Sequence, residues 1–183
     1  HQGVVATGAV RPYADIEDLL AVAELRNEDP FIIVVDGVED PHNLGAILRT
    51  ADGAGAHGVI IPRHRAVGIT DTVAKTSAGA VEYVPVARVS NLASAIDRLK
   101  EAGVWIGACD MDGAEYDSAD LNVSLALVIG SEGRGISRVV KKKCDFSLSI
   151  PMSGKLESLN ASNAAAVLMY EVRRQRKNSK NTI

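Results

Sequence analysis

The sequence predicts an α/β fold, a mostly parallel sheet with helices on both faces, and three observations predict it. Apolar runs rich in β-branched residues recur at 31–35, 58–62, 104–109 and 125–129. They are apolar throughout rather than alternating, which suits strands buried on both faces. Between them lie stretches with apolar residues three and four apart, the spacing of one helix face. Polar or Gly-containing loops separate the two kinds of segment, giving the order of βαβ units. The 183 residues suffice for one domain with a substantial core.

Each element has a local reason. Residues 1–15 read as a linker or edge strand, broken at Pro12. A helix is expected over 15–26, with Asp15 as cap and Leu19, Leu20, Val22 and Ala23 inward; Asn27 to Pro30 end it. The strand 31–35 leads through a polar loop into a helix over 44–51, buried through Leu44, Ile47, Leu48 and Ala51 and stopped by Gly53 and Gly55. After the strand 58–62 comes a basic loop, Arg63-His64-Arg65, and a short helix near 71–77. Residues 83–87 read as a strand and 91–102 as a helix with Leu92, Ala95, Ile96 and Leu99 inward. The strand 104–109 gives way to a polar loop at 110–114. The most apolar strand, 125–129, ends in Gly130-Ser131-Glu132-Gly133-Arg134-Gly135, and a short helix follows with Lys141-Lys142-Lys143. A strand at 146–150 runs into Pro151 and a polar loop. A last helix, 164–172, places Ala165, Leu168, Met169 and Val172 on one face, with Asn160 or Ser162 as cap, before a basic tail at 173–180.

Composition narrows the function classes. A hydrophobic content of 46% with 23% charged residues is that of a globular protein. No apolar run approaches the roughly 20 residues of a membrane helix. Cys109 and Cys144 have no metal-ligand spacing, and the four histidines form no pair on one helix face, so no metal site is expected. The glycines of 130–135 run G-x-x-G-x-G, which is not the dinucleotide fingerprint, and no phosphate-loop motif is present. That loop is either a plain tight turn or a place where backbone approaches a ligand. Taken singly, Asn43 reads as a helix cap, Arg49 as a surface or salt-bridge residue, and Glu132 as solvated. The formal net charge of −3 argues mildly against a nucleic-acid surface, but three basic clusters, at 63–65, 141–143 and 173–180, are candidates for phosphate contact.

Three stretches in register change the reading. Asn43-Leu44-Gly45-Ala46-Ile47-Leu48-Arg49-Thr50-Ala51 resembles the first motif of the SpoU/TrmH family of RNA ribose 2′-O-methyltransferases. Residues 127–136, through Gly130-Ser131-Glu132-Gly133, resemble the second. Ile150-Pro151-Met152 through Ser158-Leu159-Asn160-Ala161-Ser162 resembles the third. The resemblance implies a C-terminal deep trefoil knot, the SPOUT fold, which no pattern argument would propose because knots are rare exceptions to the connection rules. It implies S-adenosylmethionine as cofactor, bound bent and mainly through backbone groups, with Gly130, Ile150 and Leu159 at the adenosine, Ser158 close by and Ala108 in a further wall. By position Arg49 is the catalytic arginine, and Asn43, Glu132, Ser158 and Asn160 orient it, the ribose and the cofactor. No metal is required.

The resemblance further implies a cytoplasmic homodimer, joined through the C-terminal helix and knot region. The apolar face of that helix suits an interface and an ordinary core equally. The opening His1-Gln2-Gly3-Val4 and the run Arg173 to Arg176 resemble the branch that methylates a guanosine ribose in 23S ribosomal RNA. On that reading residues 1–15 are a linker remnant of an N-terminal RNA-binding domain, and 16–183 are the knotted methyltransferase domain, which alone is expected to methylate RNA poorly. A tRNA substrate, or a catalytically silent RNA-binding homologue, are the alternatives.

Overall fold

In the computed structural model, which describes residues 12–181, the sheet is parallel throughout, with strand order β3-β2-β1-β5-β4-β6. The strands are β1 (Phe31–Asp36), β2 (Gly58–Pro62), β3 (Val86–Val89), β4 (Trp105–Glu115), β5 (Leu125–Gly130) and β6 (Phe146–Ser149). The helices are α1 (Ile16–Leu25), α2 (Pro41–Ala54), α3 (Asp71–Thr76), α4 (Leu92–Glu101), α5 (Arg138–Lys143) and α6 (Ala161–Lys180). Successive side chains of β1 divide between two cores. Phe31, Ile33 and Val35 meet α2, α3 and α6 on one face, while Ile32 and Val34 meet α1, α4 and α5 on the other. This is the two-sided burial that continuous apolar strands require. The expected edge strand near the start falls mostly outside the described residues.

Several boundaries move for identifiable reasons. The first helix is capped by Asp15, as expected. Residues 80–82 form a 3-10 turn and the strand begins only at Val86. β4 continues past Cys109 to Glu115: its pairing with β6 resumes at Ala114 after a four-residue excursion, 110–113. A Cβ on Gly113 would lie 2.4 Å from the Ser147 carbonyl carbon, so a side chain there would prevent the return. The basic tail at 173–180 is not a tail; it completes α6, a helix of 20 residues. Ala165, Leu168, Met169 and Val172 are fully buried within the chain, so that face is core and not an interface. Burying each of the three larger side chains contributes roughly 1.5–3 kcal/mol.

His57 shows how tightly the amino end is fitted. It is fully buried, and the Phe31 N–H donates to its Nδ1 at 2.9 Å while Nε2 faces Glu28 Oε1 at 3.5 Å. Burial pushes the imidazole below its ordinary value, with Glu28 opposing in part. The folded chain therefore binds fewer protons than the unfolded one as pH falls through about 6.5, and stability declines below that value while staying flat above it. We expect the urea midpoint of the wild type to drop more between pH 7.5 and 5.5 than that of His57→Gln. Parallel declines would show that His57 does not carry the effect.

Candidate active site

The strand order reverses between β1 and β5. From β1 the chain builds outward to β2 and β3, then returns to the other side for the remaining strands. The carboxyl ends of two such strands diverge into a crevice, the usual ligand site of an open parallel sheet. Asp36 and Gly130 pair at that point, and Asp36 Oδ2 accepts the Ser137 N–H at 2.8 Å.

Three loop residues meet above it. α2 begins at Pro41, with Asp40 as its cap: Asp40 Oδ1 accepts the His42 N–H at 2.8 Å. Pro is favourable at the first helical position because its missing N–H is not needed there. Asn43 is therefore not the cap, and its side chain is free to bond elsewhere. After β5 the chain turns back on itself. Ser131 and Gly135 form a bridge, the Gly135 N–H donates to Ser131 O at 2.9 Å, and Gly133 and Gly135 take φ of 80° and 66°. That turn presents Glu132. α6 is capped by Asn160, whose Oδ1 accepts the N–H groups of Ser162 at 2.9 Å and Asn163 at 3.4 Å. Its Nδ2 donates to Asn43 Oδ1 at 3.2 Å and to Glu132 Oε1. The same Glu132 oxygen accepts the Ala161 N–H at 3.2 Å, placing a carboxylate at the positive end of a long helix. With Oδ1 accepting and Nδ2 donating twice, the Asn160 amide has one orientation.

The other expected site residues are placed differently. Arg49 lies nearly two turns further along α2, exposed, and its guanidinium has no hydrogen-bond or ion-pair partner among the described residues. It stands outside the Asn43–Glu132–Asn160 network of a single chain. Ile150 and Leu159 are half-buried and Ser158 is exposed. Between them, none of the backbone groups of residues 151–159 has a hydrogen-bond partner among the described residues. Ala108 is enclosed: it pairs with Val128 on one side and Ser147 on the other, and its methyl is fully buried. Any wall formed there falls to Cys109 and Asp110. Burial and the neighbouring Asp110 push the Cys109 thiol up to about 11, so it is a neutral thiol and not a nucleophile at pH 7.

Sequence reasoning missed the bonds that pin the wall. Lys141 pairs with Asp110 across α5 and β4. Burial alone would raise the Asp110 carboxyl, but the Lys141 ammonium and the Asp112 N–H hold it below the usual carboxylate range. At the other end of the excursion Ser149 Oγ donates to Gly113 O at 2.9 Å. Lys143 pairs with Asp97 at 3.0 Å. Two of the three lysines expected to meet phosphate are thus engaged within the chain. So are two arginines of α6: Arg174 with Glu171, and Arg176 with backbone carbonyls. Apart from Arg174, whose partner Glu171 is three residues away, these residues find partners 31 to 147 residues off, which leave no local signal.

Gly130 is the tightest point of the site. An added Cβ would lie 2.3 Å from the Gly135 carbonyl carbon and 2.5 Å from the Ile136 nitrogen, both backbone. We expect Gly130→Ala to destabilise the chain by about 1–3 kcal/mol, as overpacking does, and to displace Glu132. Urea unfolding checks this; an unchanged midpoint would mean that the turn adjusts freely.

A parallel α/β sheet whose C-terminal helix starts on the turn after the central strand, at the strand-order reversal, has the SpoU methyltransferase fold. Residues 30–170 match the model of the SpoU rRNA methylase family, and the chain belongs to that family of RNA methyltransferases. It is 56% identical over 177 residues to YacO of Bacillus subtilis, a protein of the TrmH tRNA/rRNA methyltransferase family, covering 96% of this chain and 71% of that protein. Among solved structures it is similar to the SpoU methyltransferase AviRb of Streptomyces viridochromogenes in complex with AdoMet. There the TM-score is 0.77 at 32% identity, over 82% of this chain and 62% of that one. It is also similar to an RNA 2′-O ribose methyltransferase, with a TM-score of 0.74 at 30% identity, over 93% of this chain and 62% of the other. The chain thus spans less than two thirds of the length of these solved relatives. No described helix is long and apolar enough to cross a membrane, and no described cluster of His, Cys, Asp or Glu fits a metal ion.

Proposed function

We propose that the chain transfers a methyl group from S-adenosylmethionine to the ribose 2′-hydroxyl of a guanosine in 23S ribosomal RNA. The observation that carries this reading is the meeting of Asn43, Glu132 and Asn160, one from each family motif, at the strand-order reversal. The residues present fit the cofactor. Among the described residues the strap 151–159 keeps its backbone donors and acceptors unpaired beside the half-buried Ile150 and Leu159, which suits an adenosine gripped through main-chain groups and an apolar pair. Gly130, Ile150 and Leu159 hold it, with Ser158 alongside. Bound there, the cofactor supplies a sulfonium methyl, an electrophile that needs no metal.

The chain's own residues handle the oxygen. A neutral hydroxyl is a weak nucleophile, so the site must stabilise developing alkoxide or remove its proton. Arg49 points its charge at the 2′-oxygen and the adjoining phosphate; a guanidinium offers five N–H donors and no acceptor, so it serves as a donor and not as a base. Glu132, Asn43 and Asn160 form a rigid floor under the ribose. Because Arg49 stands apart from that floor within one chain, the reading includes a second copy, packed through α6 and the strap. With the apolar face of α6 spent on the core, the exposed face bearing Tyr170 is left for the partner. The trefoil knot belongs to the same reading: the strap must pass from the sheet edge at β6 across the end of β4 to reach Glu132. We place the protein in the cytoplasm, where its RNA is.

The test has two stages. Calorimetry measures S-adenosylmethionine binding to the chain. Labelled methyl transfer into 23S ribosomal RNA and tRNA then reads the substrate, and protection from alkaline cleavage maps the modified ribose. Protected guanosine in 23S RNA is the expected result. Labelled tRNA alone would move the substrate, and bound cofactor with no RNA labelled would remove the reading.

A further inference from the structure

Among the basic clusters, the loop after β2 differs from those on α5 and α6. Lys141 and Lys143 are paired with carboxylates, Arg176 binds backbone carbonyls, and Arg88 lies over the Tyr13 ring. Arg63, His64 and Arg65 are all exposed, and their side chains have no hydrogen-bond or ion-pair partner among the described residues. The loop beneath them is nonetheless held. The Arg63 N–H donates to Val89 O at 2.9 Å, the Val67 N–H to Val38 O at 3.4 Å and the Ile69 N–H to the Tyr13 hydroxyl at 3.0 Å. Gly68 passes so close that a Cβ would lie 2.9 Å from that hydroxyl. At the tip Arg65 takes φ 55°, a left-handed conformation uncommon for a long side chain and found disproportionately at ligand-binding positions.

The position of the loop supplies the rest. β1 and β2 are neighbours in a parallel sheet, so the loop after β2 emerges at the same end as the loop that delivers Asn43, roughly one strand spacing of about 4.8 Å away. The bond from Val67 to Val38 ties the two loops together. Free cations on an anchored base, beside the crevice and not at the far end, are placed for a polyanion that enters the site.

We infer that the loop carrying Arg63, His64 and Arg65 is a phosphate-binding contact for the RNA, gripping the sugar-phosphate backbone on the β2 side of the crevice. Arg63 and Arg65 each engage a phosphate as a planar fork, and neither reads a base. This inference rests on the RNA reading above and adds to it the face by which RNA enters.

The experiment uses the whole chain and an unmodified 23S ribosomal RNA transcript, with affinity measured by filter binding across a salt series. The test variant is Arg63→Gln with Arg65→Asn, since Asn tolerates the left-handed conformation. A control, Lys142→Gln with Lys177→Gln, removes the same charge from exposed sites near the opposite end of the sheet. The loop variant is expected to bind RNA about tenfold more weakly at 0.15 M salt, and its log-log salt slope to shrink by about 1.4, two contacts at about 0.7 each. Its S-adenosylmethionine affinity and unfolding midpoint, which report that it is folded, are expected to match the wild type. RNA affinity unchanged in the loop variant, or lost equally in the control, overturns the inference. If the wild type binds cofactor but no RNA, the RNA reading falls with it. If the wild type binds both and the loop variant does too, the inference alone falls.

Discussion

Substituting Ala for Arg49 is expected to lower methyl transfer about 10²–10³-fold while leaving S-adenosylmethionine affinity within about twofold. That is the loss seen when one preorganised donor to a developing oxyanion is removed. The two readouts separate because Arg49 contributes nothing to its own chain's fold. It is exposed and unpartnered among the described residues, so its removal changes stability by no more than about 0.5 kcal/mol. Arg49→Lys keeps the charge but not the fork, and is expected to fall between the two. Measured by labelled transfer with calorimetry alongside, undiminished turnover in Arg49→Ala removes this arginine from the mechanism.

The largest effect on stability is expected at Arg176. Its guanidinium donates to Asp29 O at 2.7 Å, Pro30 O at 3.1 Å and Val123 O at 2.9 Å, and lies 5.3 Å from the centre of the Phe31 ring. These carbonyls stand just before β1 and β5, so one side chain bolts the far half of α6 to the amino end of the two central strands. Burial pushes the guanidinium below its ordinary pKa, with Asp29 and Glu28 opposing, and it remains charged at any pH the fold survives. Arg176→Ala strips a charged donor from three acceptors and empties the space over Phe31. We expect a loss of about 2–4 kcal/mol, or roughly 2–4 °C in Tm for each kcal/mol in a chain of this size. Arg173→Ala, three residues earlier and exposed, serves as control. Equal urea midpoints for the two variants would show that the three bonds contribute nothing.

Arg176 also marks where reading along the chain stops working. In the sequence it sits in a run of cations and is indistinguishable from its neighbours, which suggests a solvated or phosphate-binding stretch. Only the fold places it against three carbonyls up to 147 residues away. Lys141 and Lys143 follow the same logic. Ala108 is the opposite case: the resemblance implies a cofactor wall at that strand end, and only the sheet shows that Ala108 is paired on both sides. Asn43 was legible as a helix-start residue, yet Asp40 and Pro41 make the better start, and that leaves Asn43 for the site.

What the sequence determined by itself is the element order, the two-sided burial of the strands and the family. These rest on periodicity, capping residues and three motifs, all of which act over a few neighbouring residues. What only the tertiary structure decided is which charges are spent. A side chain's partner is set by where the sheet and helices bring it, and solvation is cheap to predict only when no partner arrives. So the same residue type is a bolt at Arg176, an open contact at Arg63 and Arg65, and at Arg49 a free charge outside the network that its own chain assembles.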